Sequence, residues 1–509
     1  EKTKNQKQKE EKQNMAHRNS VKKNGEPKVI ELNLSATVAV IIAIIVLIVT
    51  VTSVKVITTI IEAEESRKLN NEEQNANERV TYVNSTLKDE SGNIVNETDA
   101  DGNIIKVPVP KGYSASKIEG ETTASKGFVI YEGDVDWSTI LVDSESTQSN
   151  VAIDEPAFDD DLVVINENMP ESNIVQDAND DENIAEDATA NDDSTTDTTT
   201  PTQEEINIFN LQKTRNQYVW VPVDDPSRIY GVDSKGKIWG KLYSFSSTGR
   251  TAKNWTETNG IMSITDQTYY RDPNVLQSTT YDCDGYSYMH SSGLGETRYE
   301  MLAQELEQNY YEIIESIKKY GGFYIGRYET GGLNGTAVVR KMDTNIGSQN
   351  WYTMYKKCLT LKGTNTDVKT SMIFGNLWDE ALEWLVKSGA TISDGTALTY
   401  QLIANNSTTW GNYKDATFNY IAANAETPLM TETKAQSTST RIPAGSAEYT
   451  KANNVYDMAG NVWDWTTEAY STSDRVCRGG CYGNYGGYHQ ASNRDYNVPG
   501  NNYDFRRLS

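Results

Sequence analysis

The donors most suggestive of chemistry in this chain are Asn461 and Asp464, which bracket Val462 and Trp463 directly after Gly460. Hard side-chain oxygens beside a glycine turn suit calcium, which collects oxygen ligands from loops. The same two side chains suit hydrogen bonds to their own loop backbone equally well, so both readings stand. The soft donors are Cys283, Cys358, Cys477 and Cys481, none in the CxxC spacing of a zinc site. His17, His290 and His489 are too few and too scattered for a histidine metal cluster. In an oxidising compartment the four cysteines are permitted to pair, and sequence does not choose among the connectivities.

The C-terminal tail offers recognition rather than reaction chemistry. Tyr482, Asn484, Tyr485, Tyr488, His489, Asn493, Asp495, Tyr496, Asn501, Asn502 and Tyr503 are set among Gly and Ser. Tyr supplies large, rigid, amphipathic contact area, and Asn, Ser and Gly supply adaptable hydrogen bonding, which is the palette of a binding loop set. The alternative is a glycine-rich loop with no partner.

These side chains need elements to position them. Trp463 and Trp465 are bulky apolar groups beside a Gly-Asn turn and are expected in the core. Leu302, Leu306, Tyr310, Ile313, Ile314 and Ile317 recur at helical spacing in 298–318, and Gly321-Gly322 stops that run. A second apolar stripe, Leu377, Trp378, Ala381, Trp384 and Leu385, predicts another helix, with Asn376 as its cap and Asp379 three residues on. Strands are expected at 106–111, 127–132, 217–223 and 322–330, where β-branched and aromatic residues alternate. The fold class read from this is α+β: short antiparallel strands, two flanking helices and long loops.

The charge is uneven. The formal net charge is −25, and the stretch Leu141 to Glu205 alone holds 20 Asp and Glu with no Lys or Arg. Such Asp-, Asn- and Thr-rich text buries too little apolar surface to offset chain entropy. It is expected to be a disordered acidic insertion over 141–210; the other reading is an acidic cation-binding tail. An acidic chain repels phosphates, so nucleic acid is not an expected partner. Leu34 to Val54 is an uncharged run of 21 residues preceded by many lysines. It is long enough to span a bilayer, and the basic flank orients it with the N-terminus in the cytoplasm. The expected order is a basic cytoplasmic segment (1–33), a transmembrane helix (34–61), a stalk (62–103), the first strands of the globular domain (104–140), the acidic insertion and the main domain (211–509). That places the C-terminal domain outside a plasma membrane crossed once.

The block Asn454-Val-Tyr-Asp-Met-Ala-Gly-Asn-Val-Trp-Asp-Trp-Thr466, followed by Arg475-Val-Cys-Arg-Gly-Gly480 and Asp504-Phe-Arg506, resembles the signature of the formylglycine-generating enzyme (sulfatase-modifying factor) family. Gly322-Phe-Tyr-Ile-Gly-Arg-Tyr-Glu-Thr330 is similar to a further segment of that family. The resemblance implies a C-type lectin-like domain over roughly 215–509 and a structural calcium at the Asn461 loop. It also implies a copper-binding cysteine pair, whose positions here hold Asn484 and His489. Copper(I) demands soft thiolates, so copper is not expected at those two positions. Cys477 and Cys481 are the alternative copper pair. The tail itself resembles the variable region of lectin-fold proteins diversified by retroelements. The expected function is therefore binding of an extracellular protein or glycan by a surface-anchored lectin-like domain. The alternatives are a sulfatase-modifying type enzyme with an altered active site, and a pilus-like or envelope subunit suggested by Val29-Ile-Glu-Leu32, where Glu26 stands in place of the leader glycine.

Overall fold

The computed structural model describes residues 79–142, 200–258, 261–264, 298–332, 335–344, 349–470 and 474–499. The expected segments 1–33 and 34–61, the first part of the expected stalk and most of the acidic insertion lie outside these residues. So do His17, Cys283, His290, Asn501, Asn502, Tyr503 and the Asp504-Phe-Arg506 motif. Among the described residues no helix is long and apolar enough to cross a membrane.

Residues 80–103, expected as stalk, instead carry strands. β1 (Val80–Asn84), β2 (Thr86–Lys88), β3 (Ile94–Asn96) and β4 (Lys106–Pro110) form two antiparallel pairs, β1 with β4 and β2 with β3. The polar text that suggests a stalk belongs to tight turns. Asp89 accepts from the N–H groups of Ser91 and Asn93, and Asp99 does the same for Asp101 and Asn103. The hairpins are tied down by a buried Ser85 Oγ donating to Glu97 at 2.5 Å, and by Ala124 N–H donating to Glu97 at 3.0 Å.

β5 (Tyr113–Ala115) and β6 (Val129–Glu132) precede the acidic segment, and a short helix α1 (Trp137–Ile140) leads into it. The chain is described again from residue 200, where α2 (Gln203–Thr214) opens on a capping box between Thr202 and Glu205. The expected insertion boundary at 210 is thus too late. Thr-x-x-Glu is a helix start as well as acidic text. α2 lies beside α1, with Asn207 Nδ2 donating to Thr139 O at 3.0 Å. β7 (Gln217–Pro222) then pairs antiparallel with β6, so strands from before and after the acidic segment share one sheet. Three hairpins follow: β8 (Tyr230–Val232) with β9 (Ile238–Gly240), β10 (Tyr243–Ser246) with β11 (Gly249–Ala252), and β12 (Trp255–Thr258) with β13 (Ile261–Ile264).

The predicted long helix is α3 (Arg298–Tyr320); Leu302, Leu306, Tyr310, Ile314 and Ile317 form its buried stripe. Gly321, at φ +77°, ends it with a backbone bond to Ile317 O. β14 (Gly322–Gly326) completes a four-stranded sheet in the order β14-β7-β6-β5. Successive residues of a strand face opposite sides. Val129, Val219, Val221 and Ile325 accordingly face one core, and Ile130, Tyr218 and Trp220 the other.

α4 (Trp351–Thr360), capped by Asn350, buries Trp351, Met354 and Cys358 in the second core. α5 (Gly375–Lys387) buries Leu377, Trp378, Ala381 and Leu385 in the first. Its N-cap is Phe374, not the expected Asn376. Asn376 Nδ2 donates instead to Ile229 O and Tyr310 Oη, each at 2.7 Å, because the helix starts one turn into the core rather than in solvent. After α6 (Tyr400–Ala404) come two antiparallel pairs, β15 (Phe418–Ile421) with β16 (Thr431–Lys434) and β17 (Lys451–Ala452) with β18 (Val455–Tyr456). Last is a three-stranded antiparallel sheet, β19 (Asp464–Ala469), β20 (Arg475–Arg478) and β21 (Arg494–Asn497). Helices and antiparallel strands together make the fold α+β.

Candidate functional site

The tail leaves β20 through Gly479 and Gly480, at φ +86° and +80°. A Cβ on Gly480 would stand 2.4 Å from His489 O, so the turn requires glycine there. Between this turn and β21 the backbone is fastened to the body almost step by step. Tyr482 N donates to Asn461 O at 2.9 Å, Lys414 N to Asn484 O at 2.7 Å, and Ser407 N to Gly486 O at 3.0 Å. Gly486 N donates to Asp415 Oδ1 at 3.1 Å, Ala491 N to Ser407 Oγ at 3.0 Å, and Ser492 N to Ile403 O at 3.1 Å. Backbone polar groups are strong and obligatory partners, so a loop that satisfies them on the body holds a defined path.

Two tyrosines of that path turn outward. Tyr488 is 78% exposed, and Tyr485 packs edge-on against it with ring centroids 6.5 Å apart. Lys414 Nζ lies 5.6 Å over the Tyr485 ring, a cation–π contact that steadies the ring without covering it. Tyr496, 47% exposed, stacks on Tyr470 at 3.8 Å between centroids. His489 sets its ring edge-on to Trp463 at 5.3 Å, with Nδ1 3.8 Å from Asp495 Oδ2 and 3.5 Å from Asn493 Nδ2. His489, Asn493 and Asp495 thus form one half-buried polar group. Tyr482 is half-buried. Asn484 is half-buried too, and its Oδ1 accepts from Cys481 N at 3.0 Å, so that amide shapes the turn rather than facing a ligand.

Beneath this surface is a buried ionic network. α5 supplies Asp379, β19 Glu468, β20 Arg478 and β21 Arg494. Arg478 donates to Asp379 Oδ1 at 2.7 Å, and Arg494 reaches Asp379 Oδ2 at 2.5 Å and Glu468 Oε1 at 2.8 Å. Tyr243 N adds a bond to Asp379 Oδ2 at 2.9 Å. Burial alone would raise the Asp379 carboxyl, but Arg494 and Arg478 outweigh it and hold the group below the usual range. For Glu468 burial wins over the same two cations, and its carboxyl is raised. Sequence reading assigned Asp379 to a helix cap and Arg478 to a family motif. The acids Asp464 and Glu468 and the bases Arg475 and Arg478, set close together among tryptophans and other apolar residues, were the signal available for a buried network.

The metal candidates already have partners within the fold. Asn461, at φ +55°, is fully buried, and its Oδ1 accepts from Asn412 Nδ2 at 2.9 Å and from Ile442 N at 3.1 Å. Its Nδ2 donates to Glu329 Oε2 at 2.6 Å, while Glu329 Oε1 accepts from Val462 N at 3.0 Å. An oxygen holding two N–H donors is poorly suited to a cation, so Asn461 does not fit a calcium site; its role is to lock the loop. Asp464 is also fully buried, at the start of β19. Among the described residues no group of three or more His, Cys, Asp and Glu is placed to hold a metal ion. Cys477 is buried in β20, opposite Trp465 and Asp495, and burial pushes its thiol up, away from the thiolate that copper takes. Cys481 is half-buried at the turn.

Residues 381–506 match the family described as a sulfatase-modifying factor enzyme 1-like domain. The match takes in most of α5, the three-stranded sheet and the displayed tail, the region in which the sequence motifs are densest. Among solved structures, the Treponema denticola variable protein 1 is similar at 16% identity over 57% of this chain and 94% of that one, with a TM-score of 0.20, too slight a likeness to argue from. No curated protein matches the chain.

Proposed function

We propose that this chain is a ligand-binding protein whose lectin-like C-terminal domain presents Tyr485, Tyr488 and Tyr496, with His489, Asn493 and Asp495 beside them, to a protein or glycan. One observation carries the reading: the tail's backbone is hydrogen-bonded to residues 403–415 and 461 while its tyrosine rings stand in solvent. A surface whose path is set by main-chain bonds accepts side-chain variation without refolding, and fixed aromatics bind at low entropic cost. The uncharged run at 34–54 and its basic flank support attachment of this domain outside a membrane. The polar tail positions Asn501, Asn502 and Tyr503 extend the same composition toward the terminus.

The test is a glycan array and a panel of displayed extracellular proteins, probed with the wild-type chain and with Tyr485→Ala/Tyr488→Ala/Tyr496→Ala. Loss of the wild-type signal in a variant that melts like wild type supports the reading. Equal signals, or conversion of a sulfatase-peptide cysteine to formylglycine by the wild-type chain, would replace it.

A further inference from the structure

The body of the domain places a cation among the displayed tyrosines. Lys414 Nζ lies 5.6 Å over the Tyr485 ring, and Tyr485 in turn meets Tyr488 edge-on. The same residue holds the tail, its N–H donating to Asn484 O at 2.7 Å. Lys414 is half-buried, and among the described residues its ammonium forms no ion pair and donates no hydrogen bond. The acid beside it is spent. Asp415 Oδ1 accepts from Gly486 N at 3.1 Å and Oδ2 from Thr408 Oγ1 at 2.9 Å. Its charge acts on Lys434, a buried ammonium that donates to Ala416 O at 2.9 Å. Within 481–499 the one Lys or Arg is Arg494, turned inward on Asp379 and Glu468, and the one acid, Asp495, faces His489. Screening at physiological ionic strength limits the fields that count to about 8 Å, so these near groups decide rather than the net charge of −25.

Resting on the binding role proposed for this surface, we infer that Lys414 makes it selective for an acidic protein segment: an Asp or Glu carboxylate of the partner takes the Lys414 ammonium while its apolar groups pack on Tyr485 and Tyr488. An ammonium has three donors and no acceptor, so contact with a ring leaves donors for a partner, and charge-assisted bonds to a carboxylate are the strong ones. Tyrosines set among Gly, Ser and Asn are the make-up of surfaces that grip polypeptides, whereas small-molecule sites are concave; Tyr488 is 78% exposed. Because Lys414 belongs to the body, the preference stays in place whichever side chains the tail presents.

The test is a phage-displayed library of random dodecapeptides panned on the full chain. Clones that also bind Tyr485→Ala/Tyr488→Ala are discarded, so that only peptides held by this surface remain. Expected is an excess of Asp and Glu among them, turning to an excess of Lys and Arg when Lys414→Glu is panned instead. A synthetic survivor should bind Lys414→Met about ten- to a hundredfold more weakly, the size of a hydrogen bond to a charged group, while Lys414→Arg keeps most of the affinity. Survivors with no acidic excess, affinity unmoved in Lys414→Met, or displacement by free glucuronate, which would make the site one for an acidic sugar, would each overturn the inference and leave the binding surface standing. No survivors at all would overturn both.

Discussion

Asp379 and Arg478 meet at 2.7 Å with both side chains wholly excluded from solvent. The pair joins the helix α5 to the strand β20, from whose end the displayed tail departs. Arg494, at the tail's return, closes the loop by reaching the same carboxylate. The tail therefore leaves and re-enters the body on opposite sides of one buried carboxylate, which fixes both ends of the presented segment.

Asp379→Ala leaves Arg478 and Arg494 buried with one anion fewer. Breaking a buried pair from one side destabilises by about 3–5 kcal/mol, because the remaining charge is uncompensated. Chemical denaturation should show a loss of that size. Arg478→Lys should also weaken the domain, since an ammonium cannot reproduce the planar fork of donors. A loss below about 1 kcal/mol in Asp379→Ala would mean that the network is peripheral to stability.

The two carboxylates of the network should respond to pH with opposite signs. Asp379 is held low by Arg494 and Arg478 against the opposing effect of burial, so its contribution is present above the unfolded value of about 3.9 and lost as pH falls through its folded value. Glu468 is raised by burial, so its contribution is present at acid pH and lost as pH rises through its folded value. Relative to wild type, Asp379→Asn should fare worse at pH 7 than at pH 3, and Glu468→Gln better at pH 7 than at pH 4. Thermal melts across that range check both, and parallel curves for the two variants would contradict the assignment.

Replacing residues 144–199 with a short Gly-Ser linker should leave the fold intact. Asn207 bonds to Thr139 O at 3.0 Å, so the two ends already lie side by side, and β6 pairs with β7 beyond them. Loop length enters stability only logarithmically, about 0.6 kcal/mol per doubling. An unchanged melting temperature and circular dichroism spectrum are expected; unfolding of the shortened chain would make the segment structural.

How far these features were legible depends on whether the cause is local. The stripe on α3 and the apolar face of α5 follow from 3.6-residue spacing, and both helices stand where that spacing puts them. β4 stands where a strand was expected at 106–111, but β1, β2 and β3 were hidden, because most of their residues are exposed or half-buried and the Asx turns at Asp89 and Asp99 read as polar linker. Asn376 looked like a cap because capping is a local pattern, whereas its partners Ile229 and Tyr310 are distant in sequence. The same limit hid the network: nothing near Asp379 in the chain announces Arg478 or Arg494. In the tail the Tyr and Asn composition is uniform, so sequence does not separate the exposed Tyr485 and Tyr488 from the half-buried Tyr482, or from Asn484, whose amide oxygen accepts from Cys481 N.

The turn at Gly480 offers a change that moves the displayed loop without touching its side chains. At φ +80°, with His489 O 2.4 Å from an added Cβ, Gly480→Ala is strained by both backbone and contact. It should destabilise by more than about 1 kcal/mol and displace His489, which the loss of its edge-on contact with Trp463 would report as a change in tryptophan fluorescence. Native stability and fluorescence in this variant would show that the turn tolerates other paths.

The sharpest separation is between rings that pack and rings that are presented. Tyr485, Tyr488 and Tyr496 are each at least 46% exposed, whereas Trp465 is fully buried in the second core. Truncating a buried Trp costs about 3–5 kcal/mol, a large share of a domain's total stability, so Trp465→Ala should lower the melting temperature steeply. The triple tyrosine variant should lose far less than Trp465→Ala: a surface substitution costs about 0.5 kcal/mol or less, and to that Tyr496 adds only the loss of its stack on Tyr470. Tyr496 is the informative member, since its ring stacks on Tyr470 as well as facing solvent. Measured alone, Tyr496→Ala should cost slightly more stability than Tyr488→Ala, because its ring is stacked on Tyr470 at 3.8 Å between centroids whereas Tyr488 meets Tyr485 edge-on at 6.5 Å, aromatic pairs being worth about 0.5–1.5 kcal/mol. If the triple variant melts as early as Trp465→Ala, the tyrosines are packing residues, and the tail is held together by the very groups assigned to its ligand.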